Sequence, residues 1–326
     1  MTKEKLLALL WQNADTYISG EELAQRLSVS RTAVWKAIGQ LRNEGYAIES
    51  VSNRGYRLLS ASDVLSEEGI RRHLKNKALR IQVYKTITST NTVLKALAAE
   101  GAPTGLTLVA GEQTAGRGRM GRSFFSPADS GLYLSLLLRP DMSAMEATRL
   151  TACAAVAVAE TIEELSGHPA QIKWVNDIFV DDRKVCGILT EASIDCENGM
   201  MRYVIIGLGV NTHVPAGDFP EELRGIAGAA FDADSIPELR CRLAAGILDR
   251  LAAYTEKPDD PAVFEAYKRR SLVLGKAVNI LSPGKAPVPA QVLDLKEDYS
   301  LLVRLPDGST SRLNSGEVSI RMGESE

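Results

Sequence analysis

GEQTAGRGRMGRSFFSP, residues 111–127, sets Arg117, Arg119 and Arg122 among four glycines, with no acid after Glu112 to balance them. Glycine lets backbone N–H groups approach a ligand closely, and a guanidinium offers paired donors to carboxylate or phosphate oxygens. Such a stretch cannot pack a core, so it is either solvated or closes over an anion. RG-rich tethers sit at termini or in long repeats, whereas this segment is short and lies between apolar runs ending at Ala110 and beginning at Leu132. A mobile flap hung from a sheet edge, closing over a small anion, is the expectation.

A second cluster, KWVNDIFVDDRKVCGILTE at residues 173–191, adds to this. Asp181 and Asp182 read as a turn, which pairs IKWVNDIFV with KVCGILTEA and brings Asn176 and Asp177 within range of Lys184. Lysine, carboxamide and acid together suit a nucleotide triphosphate with its magnesium. An ordinary ion pair at a surface turn is the competing reading.

Around these motifs strands alternate with helices. IQVYKTI, GLTLVAGEQ, GLYLSLLLRP, KVCGILTEAS and RYVIIGLGVN read as strands, and TNTVLKALAAEG, EATRLTACAAVAVAETIEEL, Leu239–Tyr254 and Ala262–Arg270 as helices. The class is α/β or α+β, a mixed sheet covered by helices. Beyond Leu274, short strands divided by Gly, Pro and Asp turns read as a small β-barrel.

The N-terminal stretch is different. An apolar helix around Leu6, Leu7, Leu9 and Leu10 precedes Ser19, which with Glu22 forms a capping-box start. Ser30 then opens a helix with Val34, Ile38 and Leu41 on one face and Arg31, Thr32, Trp35, Lys36 and Gln40 on the other. YAIESVSNRGYRLL reads as a hairpin with Arg54 at its tip. Helix, turn, polar-faced helix and hairpin make a winged helix-turn-helix, whose second helix enters the DNA major groove; a small bundle with a solvated face is the alternative. Residues 1–60 carry eight Lys and Arg against six Asp and Glu, a net of +2 in a chain of net charge −3. That bias is compatible with DNA without demanding it.

Composition bounds the rest. The 326 residues, 45% hydrophobic, allow two or three domains. No run approaches the roughly 18 apolar residues of a membrane span, and a cytoplasmic protein is expected. Cys153, Cys186, Cys196 and Cys241 lack paired spacing and the three histidines lie far apart. Neither a zinc site nor a disulfide framework is expected.

Taken together the chain resembles the biotin protein ligase family, and specifically its two-function members that also repress the biotin operon. The resemblance spans the whole chain. It rests on STN at Ser89–Asn91, EQTAGRGRMGR at Glu112–Arg122, KWVND at Lys173–Asp177, DRKVCGIL at Asp182–Leu189 and GLGVN at Gly207–Asn211. Val175 stands where the family usually has proline, and SFFSP replaces a common tryptophan, with Phe124 keeping an aromatic ring.

The resemblance implies an α+β multidomain protein: a winged helix-turn-helix over 1–63, a ligase domain over 64–272 and an SH3-like barrel over 273–326. It also implies biotin and ATP, with Mg2+, as the small molecules bound. Ser89, Thr90, Asn91, Gln113, Arg117, Gly118, Arg119 and Lys184 would bind biotin, and Gly116, Arg119, Arg122, Asn176, Lys184 and Asn211 the nucleotide. Arg119, Lys184 and Asp177 would carry the chemistry. Magnesium would arrive with ATP near Asp177 or Asn211, with no site fixed by the protein. Ser30, Arg31, Thr32, Trp35, Lys36 and Arg54 would meet DNA. The implied partners are a biotin carboxyl carrier protein, operator DNA and, with biotinyl-5'-AMP bound, a second copy. GLGVN also reads as a plain strand-ending turn, which leaves Asn211 open. A non-catalytic ligand-sensing repressor and a lipoate-type ligase are the rivals. The first needs no phosphate-side lysine, and the second would not carry GRGRMGR.

Overall fold

A computed structural model of the chain describes residues 2–59, 63–143, 146–195, 197, 199–232, 236–281, 286–314 and 316–320. Cys196 lies outside them. The chain divides into one unit of residues 1–75 with 232–245, and another of 76–231 with 246–326.

In the first unit, α1 (Thr2–Gln12), α2 (Gly20–Leu27) and α3 (Arg31–Asn43) bury Leu6, Leu10, Leu23, Val34, Ile38 and Leu41 against one another. Their starts follow local chemistry. Glu22 N–H donates to Ser19 Oγ and Ala33 N–H to Ser30 Oγ, each at 3.1 Å, so a side chain satisfies an otherwise unpaired helix donor. The Glu22 side chain turns instead to Arg26, one helical turn on. Ser28, at φ 54°, makes the tight break between α2 and α3.

The hairpin β1 (Ile48–Val51) and β2 (Gly55–Leu58) runs antiparallel with Val51 opposite Gly55. Tyr56 exchanges two backbone hydrogen bonds of 2.9 Å with Ile18, which ties the wing to the turn before α2. A short helix α4 (Glu67–His73) follows; its seven residues are too few to register as a periodicity. Arg240 holds Asp63 by its backbone N–H and its guanidinium, the latter at 2.8 Å.

The second unit is built on a seven-stranded sheet in the order β3-β4-β5-β9-β8-β7-β6. These are β3 (Arg80–Tyr84), β4 (Leu106–Ala110), β5 (Gly131–Leu138), β6 (Gln171–Lys173), β7 (Asp177–Val180), β8 (Arg183–Ile194) and β9 (Met201–Asn211). Only β3 and β4 run parallel, joined across α5 (Thr90–Ala99) as such a pair requires. Alternation along a strand places α5, packed on Tyr133, Leu137 and Ile205, on one face of the sheet. The long helix α6 (Ala147–Ser166), whose Thr151 Oγ1 lies 2.7 Å from Thr190 Oγ1, covers the other. Two more helices follow, α7 (Leu239–Glu256), whose Tyr254 hydroxyl donates to Glu160 of α6, and α8 (Pro261–Arg269), which packs on α6.

Two expectations are corrected here. The segment 111–127 joins β4 to β5, the second and third strands of seven, so it rises from within the sheet and not from its edge. IKWVNDIFV is also two strands. The chain turns over Trp174–Asn176, with a cis peptide after Trp174, and Lys173 then pairs with Asp177. The turn is held because the buried Trp174 donates Nε1–H to Tyr299 O at 2.7 Å.

The last five strands, β10 (Ala277–Leu281), β11 (Val288–Leu295), β12 (Leu301–Arg304), β13 (Thr310–Leu313) and β14 (Glu317–Ile320), form an antiparallel sheet in the order β13-β12-β11-β10-β14. Its outer strands, β13 and β14, do not pair among the described residues, so the sheet is open where a closed barrel was expected. No helix of the described residues is long and apolar enough to cross a membrane.

One glycine tests this account. Gly55 has φ +99°, and a Cβ there would lie 2.1 Å from Ile18 O. Gly55→Ala should therefore cost the first unit about 2–4 kcal/mol in denaturant unfolding, while Gly39→Ala, with no atom near its Cβ, should leave it as stable or slightly more so.

Candidate active site

Strand register decides which side chains meet. Tyr133 pairs with Gly209, Gly209 with Gly187 and Gly187 with Asp177, a row that crosses four strands on the α5 face. One step along, Ser135, Gly207 and Leu189 make a second row. Where glycines stand, the sheet presents bare backbone, and other side chains occupy the space. A Cβ on Gly209 would fall 2.5 Å from the Phe124 ring, and one on Gly207 would fall 1.8 Å from Asn91 Oδ1. Above this floor opens a cavity lined by the flap, the start of α5 and strands β7, β8 and β9.

One end of the cavity is neutral and polar. Ser89 caps α5 by accepting from Thr92 N–H, and it lines the cavity with Thr90 and Asn91. Gln113, the first flap side chain to enter, accepts from Thr90 N–H at 2.9 Å and donates to Ser126 Oγ at 3.0 Å. Ser135 Oγ donates to Asn91 Oδ1 at 2.6 Å and lies 2.7 Å from Thr90 Oγ1. The flap is folded onto this end: Thr114 and Ala115 N–H donate to Ile87 and Thr88 O, and Phe124 N–H to Gly116 O.

The other end is cationic. Arg117, Gly118, Arg119 and Arg122 of the flap line it, with Lys173 and Lys184 from the sheet. Arg119 is held by neutral acceptors, Asn176 Oδ1 at 2.7 Å and Gly316 O at 3.0 Å, so its charge is not cancelled by a carboxylate within that pair of contacts. Lys184 Nζ lies 2.7 Å from Asp177 Oδ1.

A β-bulge makes that pairing possible. Register shifts between Ile178 and Phe179, so Lys184 pairs with Phe179 while Cys186 pairs with Ile178. In unbroken alternation Lys184 would point away from Gly187; the extra residue returns it to the cavity face. Burial pushes the neighbouring Cys186 thiol well above its ordinary range, against the opposing pull of Lys184, and it stays protonated at neutral pH.

Two of the expected ligand residues do not line the cavity. Gly116 sits within the flap against its returning segment, where a Cβ would stand 2.4 Å from Phe124 O. Asn211 ends β9 and donates Nδ2–H to Gly228 O at 3.2 Å, while its own carbonyl accepts from Ala230 N–H. GLGVN is accordingly the interior and end of a strand rather than a turn.

The expected DNA-facing residues form a separate set in the first unit. Arg31, Thr32, Trp35 and Lys36 lie on the exposed side of α3, with Trp35 66% exposed, and Ser30 is spent as its N-cap. Arg54, at the wing, stacks its guanidinium 4.4 Å from the centre of the Tyr17 ring.

Reading by motif passed over Ser135, Glu191 and Trp174. The first had a visible signal, a lone hydroxyl within LYLSLLL. Glu191 had none: it meets Arg117, 74 positions away, only through the fold.

Residues 83–211 match the model of the biotin/lipoate A/B protein ligase family, and residues 2–57 that of an HTH domain. A bifunctional ligase/repressor BirA of Bacillus subtilis is 43% identical over 227 residues, 69% of each chain. Its namesake in Escherichia coli is 35% identical over 207 residues, 64% of this chain and 62% of its own. Among solved structures, the Aquifex aeolicus biotin protein ligase in complex with biotin and ATP superposes with a TM-score of 0.61 at 28% identity, covering 74% of this chain and 98% of that one. With 43% identity over 69% of each chain and the family model matched over residues 83–211, the chain belongs to the biotin protein ligase family.

Proposed function

We propose that this protein is an ATP-dependent ligase that joins biotin to a lysine of a biotin carboxyl carrier protein, and that it represses biotin genes when biotinyl-5'-AMP is bound. The observation that carries the enzymatic half is the meeting, in one cavity, of a neutral hydrogen-bonding end with a cationic end built from Arg119 and the Lys184–Asp177 pair.

The chemistry follows from charge. A carboxylate oxygen of biotin attacks the α-phosphorus of ATP, an O–P bond forms, and pyrophosphate leaves with the electrons of the broken P–O bond. Two anions must approach, so the chain's task is positioning and electrostatic stabilisation. Ser89, Thr90 and Gln113 orient the uncharged end of biotin. Arg117, Gly118 and Arg119 surround the reacting carboxylate and phosphate, and Arg122 meets the pyrophosphate. Lys184 stabilises charge on the α-phosphate, with Asp177 holding its ammonium in place. A carrier lysine, as the free amine, then attacks the anhydride carbonyl; a C–N bond forms, AMP leaves and the amine proton is lost. No protein nucleophile takes part.

Magnesium fits this site only as a companion of the nucleotide. Asp177 is the carboxylate lining the cavity, and it is already paired with Lys184; magnesium bound by one carboxylate relies on substrate phosphates and water. Asn176 belongs with the nucleotide, and Gly116 and Asn211 support it indirectly, through the flap and the loop that starts at Thr212. In this reading residues 1–63 bind operator DNA, 64–272 form the ligase, and 273–326 an SH3-like module, in a cytoplasmic protein. The Gly-Arg flap with Lys184 favours a ligase over a sensor without turnover, which needs no phosphate-side lysine. Supplying lipoate in place of biotin separates the lipoate-type alternative.

The assay is direct: protein, ATP, magnesium, biotin and a carrier domain, with mass detection of the biotinylated carrier; an unmodified carrier would refute the ligase. Arg119→Ala removes a charge-assisted donor, a loss of about 1.5–3 kcal/mol, so biotin-dependent pyrophosphate exchange should fall roughly ten- to hundredfold with the fold intact. For repression, helix-turn-helix proteins gain affinity by engaging two half-sites as a dimer. Biotinyl-5'-AMP should therefore raise both the dimer fraction in sedimentation and operator affinity in titration. Equal values with and without it would sever repression from ligation.

A further inference from the structure

Glu191 has no part in the reading above and does not line the cavity, yet it contacts two residues that do, Asn91 and Arg117. It stands on β8 opposite Ile205, on the α5 face. Its Oε2 accepts from Asn91 Nδ2–H at 3.0 Å. Its Oε1 lies 3.5 Å from Arg117 Nη1 and 3.6 Å from Lys95 Nζ. One side chain thus touches the flap, the start of α5 and the body of the same helix.

The hydrogen-bond inventory of Asn91 explains why this matters. Its two amide hydrogens go to Leu189 O at 3.2 Å and to Glu191, and its carbonyl accepts from Ser135. It is 4% exposed, with its amide seated where Gly207 leaves room. Asn91 has one acceptor lone pair left and no donor, so it presents little to a ligand and much to its neighbours. Ser135 has a single proton, shared between Asn91 Oδ1 and Thr90 Oγ1, and the Thr90 hydroxyl in turn donates to Gln113 Oε1. A continuous chain of contacts therefore runs from Glu191 through Asn91, Ser135 and Thr90 to Gln113 in the flap. Arg117 closes it back on Glu191 by charge.

We propose that Glu191 is a positioning residue that latches the Gly-Arg flap to the start of α5, setting the biotin-facing hydrogen bonds before the ligand arrives. The inference rests on the ligase reading for its ligand, but the latch itself exists without one. Its charge is what grips Arg117, and its oxygen is what orients Asn91, so two substitutions separate the parts. Glu191→Gln keeps an acceptor for Asn91 and loses the charge; Glu191→Ala loses both.

The test uses the full-length protein. Trypsin cleaves after arginine, so cutting at Arg117, Arg119 and Arg122 without ligand reads flap release, and pyrophosphate exchange reads KM and kcat. Glu191→Gln should speed flap cleavage and raise the KM for biotin by roughly three- to tenfold, as loss of a modest ion pair does, with kcat and the KM for ATP nearly unchanged. Glu191→Ala should exceed it in both. Unchanged cleavage and KM in both variants would overturn the latch. So would a fall in kcat at constant biotin KM, which would put Glu191 in the chemistry. If the unsubstituted protein exchanged no pyrophosphate with biotin, the ligase reading would fail, while the cleavage rates would still decide the latch.

Discussion

The cavity exists because three positions on two neighbouring strands have no side chain. Gly187, Gly207 and Gly209 lie on one face of β8 and β9, and the space above them is taken by the Phe124 ring and the Asn91 amide. Any Cβ at Gly207 or Gly209 would collide with those groups. The flap's aromatic anchor and the helix start both depend on bare backbone at the sheet centre. A sheet interior with larger residues here would fill with its own side chains and leave nothing for a ligand.

Placement of charge depends on a second irregularity. The bulge between Lys184 and Cys186 turns one lysine onto the face where Asp177 already stands. The same residue is fixed from behind, since Lys184 N–H donates to Ile226 O and Gly228 N–H donates to Lys184 O. Asn211 holds Gly228 from the other side. Rigid sheet on one side and pinned loop on the other give the ammonium a defined origin, which electrostatic stabilisation requires more than proximity alone.

Local chemistry was legible in the sequence. Ser19, Ser30 and Ser89 cap their helices, Asp181 and Asp182 make the turn at positive φ, and Ser89, Gln113, Arg119 and Lys184 come to one cavity. These readings depend on a few adjacent residues or on spacing within one element. What stayed hidden depends on pairing between distant segments. The strand break at Trp174 answers to Tyr299, far along the chain. The acid that the arginine-rich segment lacks near Glu112 is supplied by Glu191 across the sheet. The place of β4 and β5 inside the sheet follows from β3 pairing on one side of them and β9 on the other, which no local pattern encodes.

The three tryptophans give the protein a built-in spectroscopic readout. Trp174 is buried in the cavity wall with its N–H bonded, Trp35 stands in water on the outer face of α3, and Trp11 sits 5.0 Å from the Arg72 guanidinium. Their emission therefore differs in wavelength, in access to quenchers and in sensitivity to a cation. Replacing two of them by phenylalanine leaves a single indole that reports on the cavity alone, or on the α3 surface alone, without an added dye. Occupancy of the small-molecule site and of the helix surface can then be followed separately, each in its own variant, by light from the chain itself.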